Sequence, residues 1–350
     1  MRKVIISLTV ITFVFTALCQ YDFKGRIAVS SDGNQHDKDD ICATPMTIAL
    51  FASAGFKNKL VYYGHSDHIW DNNASQEQKM IESCEGTIER YAYDESVTKV
   101  FNAFRQTNEA INCLAGAIEA STADNPLWLI GAGPMEVIGR AIKKATKGKQ
   151  HVTVISHSDW NNKHAAVDHN GYHFNNFPDM GVKTKQIKDQ NGGLNAPYDD
   201  FNWLKNSSDP KLKWLWDRGQ AAGKPKFDCS DCGMAYWLIT GGVNGGDENG
   251  NPNKVKTILQ NPVSIRFSTV FSNPDNIKIV LSSNRIGKVF FQGYKGGGMV
   301  TILNLKNQII QTARLQAGQA EFNLNRNAKG VYILHFTSAT KSCGRRIILK

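Results

Sequence analysis

Asp32-Gly-Asn-Gln-His-Asp-Lys-Asp-Asp40 sets four carboxylates within nine residues of chain. Hard oxygen donors at that density suit calcium or magnesium. Without a cation, carboxylates so close repel one another and raise one another's pKa. The loop is not an EF-hand, whose twelfth position needs a glutamate; here that position is Ala43. The plainer alternative is a solvated acidic turn with Asp39 or Asp40 at a helix N-terminus. A second set of polar groups runs His157-Ser-Asp-Trp-Asn-Asn162. Trp160 can stack on a sugar ring, and Asp159, Asn161 and Asn162 can bond to hydroxyls. Asp37 and Asp40 are candidate proton acceptors, and His36, His65, His157 and His164 candidate proton donors to a leaving group. Each of these histidines could equally be a surface or loop residue. Trp203, Trp214 and Trp216 either extend a stacking platform or fill the core.

These residues need a frame, and the hydrophobic spacing provides one. Residues 26–30 read as a short buried strand, and residues 43–54 carry helical spacing with Pro45 near the first turn. Residues 59–63 read as the next strand, and 76–93 and 97–120 as helices. Leu127 to Ile130 is a strand ending in Gly131-Ala-Gly-Pro134, followed by a helix over 135–145 and a strand over 151–156. Alternation of this kind predicts an α/β fold, with a mostly parallel sheet and helices on both faces. The acidic loop then lies beyond the carboxyl end of the first strand, where open α/β sheets gather ligands. Residues 158–228 read as long loops with short helices, 232–240 as an apolar helix, and Asp247-Glu-Asn-Gly-Asn251 as a plain turn. From about Val263 the texture changes to short alternating runs: 277–281, 288–291, 299–303, 309–313, 320–324, 331–336 and 346–349. They predict a small antiparallel β-sandwich.

At the N-terminus, Arg2 and Lys3 precede an apolar run over 4–18, and Ala17-Leu18-Cys19 offers a cleavage site before Gln20. Residues 1–19 therefore read as a signal peptide, 20–262 as the α/β domain and 271–350 as the β-rich domain. No other stretch is apolar enough to span a bilayer. Cleavage leaves six cysteines, Cys42, Cys84, Cys113, Cys229, Cys232 and Cys343. In an oxidising compartment a structural disulfide is expected of Cys229-Ser-Asp-Cys232 before a zinc or redox site. The formal net charge of +10 reads as a solvated basic surface or as attraction to an anionic polysaccharide. Nothing resembles a nucleic-acid recognition motif.

The opening strand, acidic loop and helix resemble the start of the nucleoside hydrolase fold, in which an Asp-x-Asp-x-x-x-Asp-Asp loop binds calcium. The likeness extends to Gly131-Ala-Gly-Pro-Met-Glu-Val-Ile138 and to Ser230-Asp231 before the helix at Cys232, and so covers roughly residues 24 to 260. It implies that Asp32, Asp39, Asp40 and Asp231 ligate Ca2+, ahead of Mg2+. Asn34 stands where the family places its general base, and the loop is one residue longer, so Asp37 inherits that role. Asn34 is left as a substrate-side amide. In these departures the sequence resembles a divergent secreted branch associated with polysaccharide breakdown. The expectation is a calcium-dependent glycosidase acting on a carbohydrate; the alternatives are a nucleoside N-ribohydrolase and a non-catalytic carbohydrate-binding protein. Residues 271–350 resemble a type IX secretion sorting domain, through Ser272-Asn-Pro274, Val300-Thr-Ile-Leu-Asn-Leu305, Gly330-Val-Tyr-Ile-Leu334 and a basic last strand. They imply a secreted or cell-surface protein with the type IX machinery as a partner.

Overall fold

The computed structural model describes residues 23–262, 277–281, 286–291, 298–304, 309–316, 319–323, 330–337 and 342–349. The expected signal peptide and the Ser272-Asn-Pro274 motif lie outside these residues. The chain divides into one compact unit over Phe23–Ile265 and another that includes Arg266–Lys350.

In the first unit six strands form one parallel sheet: β1 (Arg26–Ser31), β2 (Leu60–His65), β3 (Lys99–Asn102), β4 (Leu127–Ala132), β5 (Val152–Ser156) and β6 (Lys183–Gln186). Their order is β3-β2-β1-β4-β5-β6, and all five pairings are parallel. Helices α1 (Asp40–Ser53), α2 (Glu77–Arg90), α3 (Thr107–Glu119), α4 (Glu136–Lys144) and α5 (Asp159–His169) follow the first five strands. Ile27, Ala28, Val29, Leu127, Leu129, Val152 and Val154 are fully buried. Strands covered on both faces carry such near-continuous apolar runs. No helix among the described residues is long and apolar enough to cross a membrane.

α1 is buried almost all round, as a helix packed on several sides must be. It begins at Asp40, so Pro45 falls in its second turn and not in the first. A proline there frees the carbonyl four residues back, that of Ile41. Ser83 Oγ donates to Ile41 O at 2.7 Å, and Arg218 Nε donates to Ser83 Oγ at 2.9 Å. The freed acceptor is thus satisfied by Ser83 of α2, which Arg218 of the helix Pro210–Ala222 holds in place.

The single helix expected over 97–120 is two elements. Residues 99–102 pair with Tyr62 to His65 as the edge strand β3, and the helix starts only at Thr107. The apolar spacing runs on through both, and β2 decides the outcome. The stretch 158–228 is also more ordered than a loop reading suggests, since it holds α5, β6 and the helix Pro210–Ala222.

The second unit holds two antiparallel sheets. One orders Gln319–Asn323, Ile286–Phe291 and Ile277–Leu281; the other orders Ile309–Leu315, Gly298–Asn304, Gly330–Thr337 and Ser342–Leu349. Ala320 and Phe322 are buried between exposed Gln319, Glu321 and Asn323, the alternation of a half-covered strand.

Candidate metal and carbohydrate site

The strand order reverses between β1 and β4, and the crevice beyond that reversal is where doubly wound sheets bind ligands. The acidic loop leaves β1 at this point. Three loops are laced together there: Asp32 N donates to Ala132 O at 3.3 Å, Ser66 N to Asp32 O at 3.1 Å, and Asp67 N to Ser31 O at 3.0 Å. Ser66 adopts φ 58°, a left-handed conformation uncommon outside glycine. Gly133 makes the close approach possible. A Cβ there would lie 2.6 Å from Asp67 Oδ1 and 2.8 Å from Asp32 N. Gly133→Ala is therefore expected to displace both residues at a cost of about 1–3 kcal/mol. Thermal unfolding of the variant would check this; an unchanged Tm would contradict it.

The structure brings Asp32, Asp37, Asp39, Asp40 and Asp231 into one electrostatic neighbourhood. Asp32 and Asp40 are within hydrogen-bond reach of each other, as are Asp37 and Asp39. Two carboxylates can approach this closely only if they share a proton or a cation. Burial, then the neighbouring negative charges, push Asp32 and Asp40 well above the ordinary carboxylate range. Burial and Asp37 do the same to Asp39, and burial with the charge of Asp32 raises Asp37.

Asp67, two residues past the end of β2, joins the group. It accepts from Ser30 Oγ at 2.7 Å, and burial pushes its pKa up to about 8. Asp32 Oδ2, Asn34 Oδ1, Asp40 Oδ1 and Asp67 Oδ1 are buried without a hydrogen-bond partner. Buried polar atoms ordinarily have one, and orphaned oxygens are the donors a hard cation takes. Seven carboxylates (Asp32, Asp37, Asp39, Asp40, Asp67, Asp228 and Asp231) face one lysine here. Lys224 Nζ lies 3.1 Å from Asp39, 3.3 Å from Asp228 and 3.6 Å from Asp37. One ammonium cannot balance that charge. The residues present therefore fit a divalent ion of the calcium class. Among the described residues, no three of these carboxylates bring oxygens within 4.8 Å of one another, as the donor atoms of His68, His164 and Asp168 do. The wider spacing is what mutual repulsion favours.

A polar cavity of about 230 Å³ opens beside the cluster, lined in part by Asp37, Asp39, His157, Trp160, Asn161 and Asp231. Asn191, Asn195, Ser158 and Lys224 complete much of its wall. His157 is buried; its Nε2 lies 2.9 Å from Asp231 Oδ1 and its Nδ1 3.4 Å from Asp189 Oδ1. Burial works against its positive charge, but Asp231 and Asp189 outweigh burial and raise its pKa. Asn161 Nδ2 donates to Asp231 Oδ1 at 2.9 Å. Asp231 is thus tied to β5's loop, although it starts the helix Cys232–Ile239.

Other expected residues lie elsewhere. Asn34 is buried and donates to His68 O at 3.0 Å and Asn73 O at 2.8 Å, so its amide clamps the loop after β2. Asp159 is exposed in the first turn of α5 and does not line the cavity, and Asn162 is buried with Oδ1 unpartnered. His36 is exposed on the side of His68 and His164 and is not among the cavity residues. His65 is buried, with its pKa lowered to about 4 by burial, and lies 4.0 Å from Glu85. The three tryptophans extend no platform. Trp214 packs under Arg90, Trp216 against Phe227, and Trp203 borders a different cavity. Asp247 pairs with Lys254 at 2.7 Å as part of a turn. The expected disulfide is not formed: Cys42, Cys84, Cys113, Cys229 and Cys232 are free thiols. Burial raises the pKa of Cys229, whose Sγ donates to Leu194 O at 3.5 Å.

Asp67, Asp228, Lys224, Asn191 and Asn195 were not legible as site residues. The one signal for Asp67 is its position just past a predicted strand.

Residues 269–350 match the secretion system C-terminal sorting domain. That domain marks cargo of the type IX machinery, so the protein is secreted or held at the cell surface. The chain is also 38% identical over 255 residues to the uncharacterized protein P22 of Formosa agariphila, covering 68% of this chain and 91% of that one. Among solved structures, an endo-beta-1,4-mannanase double mutant from Cellulomonas fimi aligns over 87% of this chain and 81% of its own, at 11% identity and a TM-score of 0.19. The endo-beta-1,4-mannanase from Thermotoga petrophila aligns over 94% and 97%, at 8% identity and a TM-score of 0.18. Scores this low carry no argument about fold or chemistry.

Proposed function

This chain belongs to the family of protein P22 of Formosa agariphila, and from that premise we propose that it is an extracellular, calcium-dependent glycosidase. The observation that carries the reading is a cavity walled by Asp37, Asp39, Asp228 and Asp231 with an indole and several amides, next to the buried, partly unpartnered carboxylates of Asp32 and Asp40. Sugars are bound by that combination of an aromatic face and amide groups. The cavity is smaller than the ~300–1,000 Å³ of typical ligand pockets, so it suits one sugar unit at a chain end. The nucleoside hydrolase-like order of motifs supports the same assignment.

Asp32, Asp39, Asp40 and Asp231 would hold the ion, with Asp67 beside them. Bound there, it would anchor sugar hydroxyls and lower the pKa of a water. Asp37 borders the cavity, and its raised pKa brings it toward the working range of a general base. His157, whose pKa Asp231 and Asp189 raise against the effect of burial, is the candidate donor of a proton to the leaving oxygen. Trp160 and Asn161 orient the ring. Asp40 is too buried to serve as the base and is assigned to the ion alone.

One observation favours a binding protein without turnover: Lys224 lies 3.6 Å from Asp37 and competes for its charge. Reducing-sugar release from a panel of polysaccharides, with calcium and with chelator, separates the readings. Release that chelator abolishes supports the glycosidase. Free base from inosine or uridine would make the protein a nucleoside hydrolase, and retention on a polymer without release would make it a binding protein.

A further inference from the structure

A second cluster of donors stands outside the acidic site. His68 lies in the loop after β2, while His164 and Asp168 are one turn apart on α5. That spacing places both on the same face of the helix. One ligand atom from each of the three lies within 4.8 Å of the others. His68 Nε2 is 3.9 Å and His164 Nε2 3.8 Å from Asp168 Oδ2. These separations are too long for hydrogen bonds. They are near the ~3.3 Å edge of a tetrahedral ion with bonds of about 2.0–2.1 Å, so a small side-chain shift closes the site.

Independent evidence points to a ligand. The Nε2 of His164, which faces Asp168, is buried without a hydrogen-bond partner, and the buried His68 turns its own Nε2 to the same carboxylate. Two imidazoles and a carboxylate are donors for zinc and related ions and a poor set for calcium, which takes oxygens. The surroundings hold the donors in place. Trp70 Nε1 donates to Asp168 Oδ2 at 3.1 Å, which orients the carboxylate. Trp70 also lies 3.9 Å from the His68 ring, and Trp160 stacks on His164 at 4.0 Å. Asp168 is half exposed, which leaves a path for the ion.

We infer that His68, His164 and Asp168 form a second metal site of the zinc class, separate from the acidic cluster. Its ion ties the loop after β2 to α5 and fixes Trp160, the indole that borders the cavity. The site does not depend on the glycosidase reading.

The test uses untagged full-length protein, stripped with chelator and titrated with Co2+ in the presence of excess Ca2+. Visible absorption of tetrahedral Co2+ and quenching of tryptophan emission are recorded together. The expected result is a saturable band near one equivalent, displaced by Zn2+, with parallel quenching. His164→Gln and Asp168→Asn should each weaken Co2+ at least tenfold, while Asp39→Asn leaves the band unchanged. Asp168 is exposed enough that its variant should fold, and far-ultraviolet circular dichroism checks this. The inference is overturned if no saturable band forms, if both variants bind Co2+ as the parent does, or if Asp39→Asn removes the band.

Discussion

Asp231→Asn is expected to weaken calcium binding by more than the ~10–100-fold that loss of an outer-shell partner costs, and to abolish glycosidase activity with it. Asparagine keeps the shape of the side chain and an oxygen that can still accept from Asn161 Nδ2, so the tie to α5 survives. What it removes is the charge. Asp231 raises the pKa of Asp32, Asp37, Asp39, Asp40 and Asp67. In calcium-free buffer the variant should therefore be at least as stable as the parent. With calcium at 100 times the parent's Kd, the parent gains about 2.7 kcal/mol, or roughly 5–10 °C in Tm for a domain of this size. The variant gains almost none. Isothermal calorimetry and thermal scans with and without calcium read out both effects. Calcium affinity within twofold of the parent's would remove Asp231 from the site.

The second large effect is a pH dependence that calcium reverses. Asp32, Asp39, Asp40 and Asp67 all have folded-state pKa values raised above that of a free aspartate. For such acids the folded chain holds a proton that the unfolded chain has released. Stability therefore falls as pH rises from about 4 toward the folded pKa, by up to about 1.4 kcal/mol per pH unit for each group. For Asp67 the window extends up to about 8. Calcium-free protein should lose Tm between pH 5 and pH 8. Calcium competes with protons for the same oxygens, so its stabilising effect should grow over that range. A calcium-free Tm that rises with pH would contradict this account of the cluster.

The parts of this arrangement differ in how plainly the sequence displays them. β1, β2, β4 and β5 are short apolar runs closed by polar loops, and local periodicity finds them. The acidic loop is legible for the same reason, because its carboxylates are neighbours in the chain. β3 is not, since its residues share helical spacing with α3 and become a strand only by pairing with β2. The start of α1 at Asp40 was also hidden. A proline in the second turn is acceptable there because Ser83, far along the chain, donates to the carbonyl it frees. The same limit applies to the site. Asp67 is one carboxylate in an unremarked loop until the laced backbones of Ser31, Asp32 and Ala132 place it beside Asp32. Lys224 meets Asp37 and Asp39 only through the fold. His68 and Asp168 likewise need the crossing of the loop after β2 with α5 to become partners.

A divalent ion held by the loop between β1 and α1 is the claim on which the proposed chemistry rests. Anomalous diffraction from crystals of the protein grown with calcium tests it most directly. The account predicts one strong peak within about 2.3–2.6 Å of carboxylate oxygens from Asp32, Asp39, Asp40 and Asp231. A cluster that keeps its open spacing at millimolar calcium, with no anomalous peak among those oxygens, would contradict it.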